Sequence, residues 1–263
     1  MEKTPSGSYR RIVSLVPSLT EALFSLGLGD RVVGITDWCI HPEELLADLP
    51  KLGGTKTPDV SRILELSPDL IVANQEENRK SDIAKLRKSG CKVWVTYPRT
   101  VKEGGEVLRQ LSELGASAKN IEAIVTPVTR AIAGAIRRRK DSADKKSSPR
   151  VFCPIWKDPW MSVGQDTYAQ DLIELCGGMN VFSDLEGRRY PVVTFEQIIS
   201  SQPDVILLPD EPYSFGPKDV VELSNLKLPA SDKRIHCIDG TLISWYGPRI
   251  AKAIETVESI INP

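Results

Sequence analysis

Aromatic and polar side chains that could hold a flat ligand follow the predicted strands in both halves of the chain. Ligands of open α/β sheets sit beyond the carboxyl ends of the strands, so binding groups collect in the loops that follow strands. Broad aromatic walls with few charges suit a large, partly apolar ligand, although a single tryptophan is more often a core residue. The predicted ligand-binding residues are Pro17, Ser18, Trp38, His41, Trp156, Trp160, Tyr190, Trp245, Tyr246 and Arg249.

The loop that contains Cys39 and His41 could also supply an axial ligand to the metal of a bound chelate. A thiolate or a neutral imidazole suits cobalt or iron, but two donors do not make a structural zinc site. Pro42 beside His41 leaves open that the imidazole only caps the following helix. Arg249, which follows Gly-Pro, could pair with a phosphate or amide of the ligand, or it could bind backbone carbonyls of its own half.

Catalytic signatures are absent from the sequence. It contains no GxSxG, HExxH, GxGxxG or GxxxxGK[ST] motif, which would indicate a nucleophile, a metal base or a phosphate loop. The 34 basic and 35 acidic side chains leave a formal net charge of -1, which gives no electrostatic reason to expect nucleic acid as a partner. We therefore predict a monomeric, non-catalytic binding protein with no intrinsic cofactor.

Strand and helix patterns alternate in both halves, which predicts mainly parallel sheets. Residues 62–73 (RILELSPDLIVA) and 197–208 (QIISSQPDVILL) share a helix, a Pro-Asp turn and an apolar strand, which is an internal repeat. Ser18 is predicted to cap the first helix. We expect segments 8–117 and 151–263 to form an N-terminal and a C-terminal α/β lobe with separate sheets.

The segment from Ala118 to about Lys140 predicts a helix that joins the two lobes. Isoleucine and valine recur there at spacings of three and four, so one face is apolar and must be buried. Pro127 has no N–H to donate, which predicts a kink or a helix start near it. Residues 118–150 are thus interpreted as a linker helix followed by a solvated loop with Lys145 and Lys146. The alternative is a surface helix of a single domain.

Five cysteines occur without a CxxC pair, which is typical of free thiols in a reducing compartment. The first residues lack the regions of a secretion signal, and no run approaches the roughly 18 apolar residues of a membrane span. These observations predict a cytoplasmic location for the sequence as it stands. The alternative is a periplasmic or membrane-anchored protein whose signal has been trimmed.

Several short motifs recur in an order that is specific as a set. They are RIVSLVPSLTEALFSLG, KLGG with PDVSRILELSPDLIVA, LIELCGGMNVF, TFEQIISSQPDVILL and WYGPRI, and together they span nearly the whole chain. The set resembles the helical-backbone substrate-binding proteins of cobalamin and ferric-siderophore ABC transporters, most closely the cobalamin type. The resemblance implies an α/β fold of two Rossmann-like lobes joined by one long backbone helix, with the ligand in a cleft between the lobes.

The resemblance also implies a ligand and a partner. The ligand would be a cobalamin-like corrinoid or a related metal chelate, taken up through an ABC permease. The alternatives are haem or a ferric siderophore, and an intracellular carrier or sensor that is not coupled to a permease. Transporter-coupled members present one glutamate from each lobe to permease arginines, and Glu196 matches the second-lobe position while Ser61 stands at the first. Weak or one-sided docking is therefore expected.

Overall fold

The structure, a computed structural model, describes residue 2 and residues 7–141, 148–230 and 233–263. The chain divides into two compact units. Unit 1 contains the residues up to Pro98, Glu103–Thr129 and Tyr246–Pro248, and unit 2 contains Arg99–Lys102, Arg130–Trp245 and Arg249–Pro263. The predicted loop residues Lys145 and Lys146 lie outside the described residues.

The elements in the first part of the chain alternate between strand and helix. They are β1 (Ile12–Ser14), α1 (Pro17–Ser25), β2 (Val32–Ile35), α2 (Glu43–Leu46), β3 (Gly53–Gly54), β4 (Thr57–Pro58), α3 (Val60–Glu65), β5 (Leu70–Asn74), α4 (Lys80–Lys88), β6 (Val93–Thr96) and α5 (Val101–Ser112). The short strands β3 and β4 form an antiparallel pair of their own.

A long helical segment follows, and it begins as α6 (Ala118–Asn120) and ends as α7 (Thr126–Asp141). Between them Ile121–Val125 forms a π turn, in which the N–H of Thr126 donates to the carbonyl of Ile121. Pro127 is the second residue of α7 and follows directly on the π turn, where the change in hydrogen-bond pattern leaves room for a residue that has no N–H to donate. The predicted helix start near this proline is confirmed, and the wider π turn accommodates it.

The second part of the chain repeats the alternation. Its elements are β7 (Arg150–Phe152), β8 (Pro154–Trp156), β9 (Met161–Ser162), α8 (Tyr168–Leu175), β10 (Met179–Asn180), α9 (Phe195–Ser200), β11 (Val205–Pro209), α10 (Pro217–Ser224), β12 (Ile235–Ile238), α11 (Thr241–Ser244) and α12 (Ile250–Ile261). Strands β8 and β9 form an antiparallel hairpin.

The two main sheets have the same topology. One has the strand order β2-β1-β5-β6 and the other β10-β7-β11-β12, and all neighbouring strands are parallel. In each sheet the chain moves first to one side of its first strand and then to the other, which creates a topological switch point at the carboxyl end of β1 and of β7. The predicted α/β fold of two lobes joined by one long helix is confirmed.

The internal repeat extends to individual hydrogen bonds. Asp69 accepts from the backbone N–H of Arg11 at 3.0 Å, and Asp204 accepts from that of Arg150 at 2.8 Å. The guanidinium Nη2 atoms of these arginines donate at 2.6 Å to the carbonyls of Leu66 and Ser201, respectively, the last residues before each turn. Each repeat therefore locks its Pro-Asp turn to the first strand of its own sheet.

The first helix differs from the prediction at its start. Helix α1 begins at Pro17, its N-cap residue is Val16, and no side chain caps it. Proline is well suited to the first helical position, because its fixed φ is helical and its missing N–H has no partner there anyway. The prediction that Ser18 caps this helix was wrong, and the serine is instead buried in the first turn.

Each sheet carries its own apolar core. In the first sheet, buried residues of β1 and β5 such as Val13 and Ile71 pack with Ile63 of α3. In the second, Ile206 and Leu208 of β11 pack with Phe152. Of the helices in the described residues, none is both long and apolar enough to cross a membrane.

Candidate functional site

The switch point of unit 1 is occupied by a tyrosine of the same unit. The hydroxyl of Tyr246 accepts from Asn74, the last residue of β5, at 2.9 Å and lies 2.8 Å from the hydroxyl of Thr96 at the end of β6. It also hydrogen-bonds to the side chain of Ser18, which follows β1. Burial raises the pKa of Tyr246 well above its ordinary value, so the phenol stays neutral. The structure thus brings Ser18 and Tyr246 together, but as a buried network with little surface for a ligand.

The loop after β2 presents Trp38 on the surface of unit 1. Trp38 is the most exposed of the tryptophans, with 65% of its surface accessible to solvent, while Pro17 and His41 are half-buried. The loop is held from two sides, since the N–H of Asp37 donates to Gly53 at 2.9 Å and the ammonium of Lys51 donates to the Cys39 carbonyl at 3.2 Å. Trp38 is therefore an exposed aromatic side chain on a fixed loop.

Cys39 points inward from the same loop. Its Sγ atom lies 3.1 Å from the hydroxyl oxygens of both Thr20 and Thr36, and the residue is 1% exposed. Burial raises the pKa of the thiol, and the hydrogen bonds to Thr20 and Thr36 oppose this only in part. A neutral, buried thiol is a poor axial ligand. Cys39 therefore anchors the loop, and His41 stays the predicted metal ligand of this pair.

Arg249 is the predicted ligand-binding cation of unit 2, and its partners lie directly after β12. Arg249 donates to the hydroxyl of Thr241 at 2.7 Å and lies 3.4 Å from a carboxylate oxygen of Asp239. Its guanidinium carbon stacks over the ring of Trp245, 5.1 Å from the centroid. The sequence left open whether the guanidinium of Arg249 binds the ligand or backbone carbonyls of its own half. In the structure it contacts the side chains of Thr241 and Asp239 in its own unit. Trp245 itself is buried in this packing.

Glu211 is the half-buried acid beside Trp245. Its carboxylate accepts from the hydroxyl of Ser244 at 2.8 Å and from the indole of Trp245. Burial raises the pKa of Glu211, and the negative charges of Asp210 and Asp239 raise it further, whereas the two hydrogen bonds lower it. Gly240 allows this approach, because a Cβ there would lie 2.5 Å from the Glu211 side chain.

The β8–β9 hairpin presents Trp156, which is 44% exposed, beside the loop that follows β11. Its ring makes an edge contact with Tyr213 at 5.8 Å between centroids, and Tyr213 packs on Phe215 at 4.6 Å. Phe215 in turn stacks on Trp160 at 5.6 Å. We call these four rings, Trp156, Tyr213, Phe215 and Trp160, the aromatic row.

Trp160 and Tyr190, two further predicted ligand-binding residues, differ in exposure. Trp160 is 6% exposed and belongs to the core of unit 2, so its indole is an anchor with little surface for a ligand. Tyr190 is exposed, and the guanidinium of Arg189 stacks on its ring at 5.5 Å. The segment that carries Tyr190 reaches the hairpin, because the N–H of Val193 donates to the Trp160 carbonyl at 2.9 Å.

Sequence reasoning missed Tyr213 and Glu211. Both follow β11 in the stretch DEPYSFGP, so the rule that selects loops after strands applies to them as well. The prediction selected loops mainly by their tryptophans, and this stretch contains none. The partial burial of Glu211 depends on Gly240, which is too far along the chain for a local pattern to identify.

A concave surface of unit 2 lies away from the strand ends. A groove of about 940 Å³ runs between α7, α8 and α12, and the ion pair of Arg138 with Glu258 at 2.7 Å crosses it. Among the described residues, no tryptophan or tyrosine lines this groove. Ligands of this topology bind at the carboxyl ends of strands, so the exposed aromatic residues are the better candidate site.

Metal donors are not gathered in the described part of the chain. Within it, no group of three or more His, Cys, Asp and Glu side chains could hold an ion.

Glu196 and Ser61 occupy equivalent positions in the repeat. Each is the second residue after the N-cap of its helix, Thr194 for α9 and Asp59 for α3, and both are exposed. The pKa of Glu196 is lowered by hydrogen bonds from the Thr194 side chain and from its own backbone N–H. The predicted docking position therefore carries an ionised carboxylate on one unit and a neutral hydroxyl on the other.

The duplicated sheet topology, the long joining helix and the exposed aromatic residues at strand ends define a class of two-lobed α/β ligand-binding proteins. Residues 12–227 match the family described as periplasmic binding protein. The chain belongs to this family.

Individual relatives agree with the family match. A vitamin B12-binding protein of Vibrio cholerae is 28% identical over 251 residues, which are 94% of this chain and 87% of the relative. The crystal structure of the periplasmic vitamin B12-binding protein BtuF of Vibrio cholerae has a TM-score of 0.82 at 24% identity and covers 97% of both chains, which supports the fold. The periplasmic haem-binding protein RhuT from Roseiflexus has a TM-score of 0.80 at 26% identity and covers 97% of this chain and 98% of its own.

The predicted cytoplasmic location was wrong. The family is one of periplasmic binding proteins, and the relatives include proteins described as periplasmic, which points to a location outside the cytoplasm. The cysteines, which were a lesser ground for that prediction, do not decide the compartment: Cys39, Cys153 and Cys176 are buried, and a buried thiol in an apolar environment is inert in any compartment.

Proposed function

We propose that this chain is a non-catalytic binding protein that captures a corrinoid such as cobalamin for uptake by an ABC-type permease. The family match and the vitamin B12-binding relative support binding of a solute. The proposed ligand-contacting residues are the exposed Trp38 and Trp156 with Tyr190 and the half-buried His41. The prediction of a cleft between the lobes stays a prediction.

The negative charge at the strand ends of unit 2 favours a corrinoid over the other chelates. Arg249 is paired with Asp239, and Asp210 and Glu211 add negative charge at the end of β11. The carboxylates of haem or an anionic catecholate siderophore would be repelled there and would need free cations. The amide edges of a corrinoid instead offer N–H groups to these acceptors.

Haem is the second candidate, because a haem-binding structure is among the similar ones and His41 could serve as an axial ligand. The test is to incubate the purified protein separately with cobalamin, haem and a ferric siderophore, remove free ligand by gel filtration, and record the visible spectrum of the protein fraction. We expect the cobalamin spectrum to be retained in a stoichiometric amount. Retention of haem with no cobalamin would contradict the corrinoid proposal and favour the second candidate.

A further inference from the structure

Lys157 lies in the turn of the β8–β9 hairpin and is held by two acids of α10. Its Nζ atom donates to Asp219 at 2.7 Å and also to Glu222, and only 16% of its side chain is exposed. Burial opposes the charge, but the hydrogen bonds to Asp219 and Glu222 outweigh it and raise the pKa of the ammonium. Lys157 is therefore charged, and its ion pairs with Asp219 and Glu222 connect the hairpin to α10.

The same contacts reach the aromatic row. The ammonium of Lys157 lies over the ring of Trp160, 5.3 Å from its centroid. Asp219 also accepts from the N–H of Gly216 at 2.9 Å, which fixes the end of the loop that carries Tyr213 and Phe215. Lys157 thus joins the hairpin that presents Trp156 to the loop against which Trp156 packs.

We propose that Lys157 is a positioning residue that fixes Trp156 and Tyr213 as one aromatic contact surface for the ligand. This inference rests on the proposed function and adds Tyr213 to the ligand-contacting residues. Trp156 is the most exposed ring of the row, whereas Phe215 and Trp160 are both buried and stack on each other. Lys157 and the ring contacts therefore connect the exposed Trp156 to the core of unit 2. The side chains of Lys157 and Asp219 are 16% and 8% exposed, so water has little access to this ion pair.

The central test is a double-mutant cycle read out as cobalamin affinity by calorimetry. Lys157→Met should weaken binding about fivefold, Lys157→Arg should retain most of the affinity, and Lys157→Met should change affinity less than about twofold in a Trp156→Ala background. Wild-type affinity in Lys157→Met, or an equal loss in both backgrounds, would overturn the positioning role. If the wild-type chain did not bind cobalamin at all, the proposed function would fail instead.

A ligand-free measurement keeps the inference testable in that case. Amide hydrogen exchange of the hairpin, residues 154–162, should be about tenfold faster in Lys157→Met than in the wild type and unchanged in Lys157→Arg. Equal exchange rates in Lys157→Met would overturn the proposal. Should Lys157→Met fail to fold, Glu222→Gln removes one of the two negative charges that hold Lys157 and should speed amide exchange of the hairpin about twofold. An unchanged exchange rate in Glu222→Gln would also overturn the proposal.

Discussion

At the scale of single residues, exposed aromatic side chains at strand ends carry the proposed binding. Trp38 has 65% of its surface exposed, so its truncation removes contact area from a ligand and little from the core. Trp38→Ala should weaken cobalamin binding about tenfold, or about 1.4 kcal/mol, with an unchanged melting temperature. A fluorescence titration measures this. The matched control is Leu45→Ala, which removes a similarly exposed apolar side chain from α2, and equal affinities in the two variants would contradict the role of Trp38.

Glu211 predicts a pH dependence of stability. Burial, together with Asp210 and Asp239, raises its pKa in the folded state. An acid with a raised pKa favours folding most below its unfolded value, and that contribution is lost as the pH rises through the folded pKa. Glu211→Gln should therefore raise the melting temperature relative to the wild type more at pH 8 than at pH 4.

Scanning calorimetry at both pH values checks this sign, and Glu196 supplies a control of opposite direction. The pKa of Glu196 is lowered by the Thr194 side chain and its own backbone N–H, so its contribution is present at neutral pH and is lost as the pH falls through the folded pKa. Glu196→Gln should not show the trend of Glu211→Gln. A wild-type advantage for Glu211 that grows with pH would contradict the account.

At the scale of elements, the repeated helix, turn and strand share a strained residue. Ser67 and Gln202 stand at the same position of the two Pro-Asp turns and have positive φ values of 47 and 43 degrees. A side chain in this region costs roughly 1–2 kcal/mol, whereas glycine adopts it freely but has more unfolded-state entropy to lose. Ser67→Gly should therefore stabilise the protein by about 0.5–1 kcal/mol.

Gln202→Gly should stabilise less, because its side chain also donates to the Ile199 carbonyl at 2.7 Å. The two effects should add, since the turns lie in separate units. Urea unfolding measures both, and Ser89→Gly is the control, because Ser89 has a φ of -79 degrees and gains nothing from glycine. Destabilisation by Ser67→Gly as large as that by Ser89→Gly would show that the turn is unstrained.

The equivalent helix starts of α3 and α9 make a prediction about the proposed permease partner. Ser61→Glu would place a carboxylate where Glu196 stands in the other repeat, and it should strengthen permease binding by about two- to fivefold, the range of an exposed ion pair. Glu196→Ala should weaken it. Stimulation of the permease ATPase by each variant is the measurement, with Ser81→Glu, which is exposed in the first turn of α4, as the control. Identical curves for Ser61→Glu and Ser81→Glu would contradict the docking position.

At the scale of the whole molecule, the fold was largely predictable because it depends on local patterns. The alternation of strand and helix, the Pro-Asp repeat and the effect of Pro127 are each set within a few residues. Side-chain exposure was not predictable in this way. Trp38 and Trp160 both follow strands, yet one is exposed and the other stacks on Phe215, a partner 55 residues further along the chain. Ser18 and Tyr246 were selected as ligand-binding residues, and only the fold reveals that they bond to each other.

The central claim, that this two-unit binding protein takes a corrinoid, is tested most directly by isothermal titration calorimetry of the intact chain with cobalamin. The account predicts saturable binding of one cobalamin per chain at micromolar affinity or better, with haem at least about tenfold weaker because of the negative charge of Asp210 and Glu211. No heat of binding with cobalamin, or tighter binding of haem under the same conditions, would contradict it.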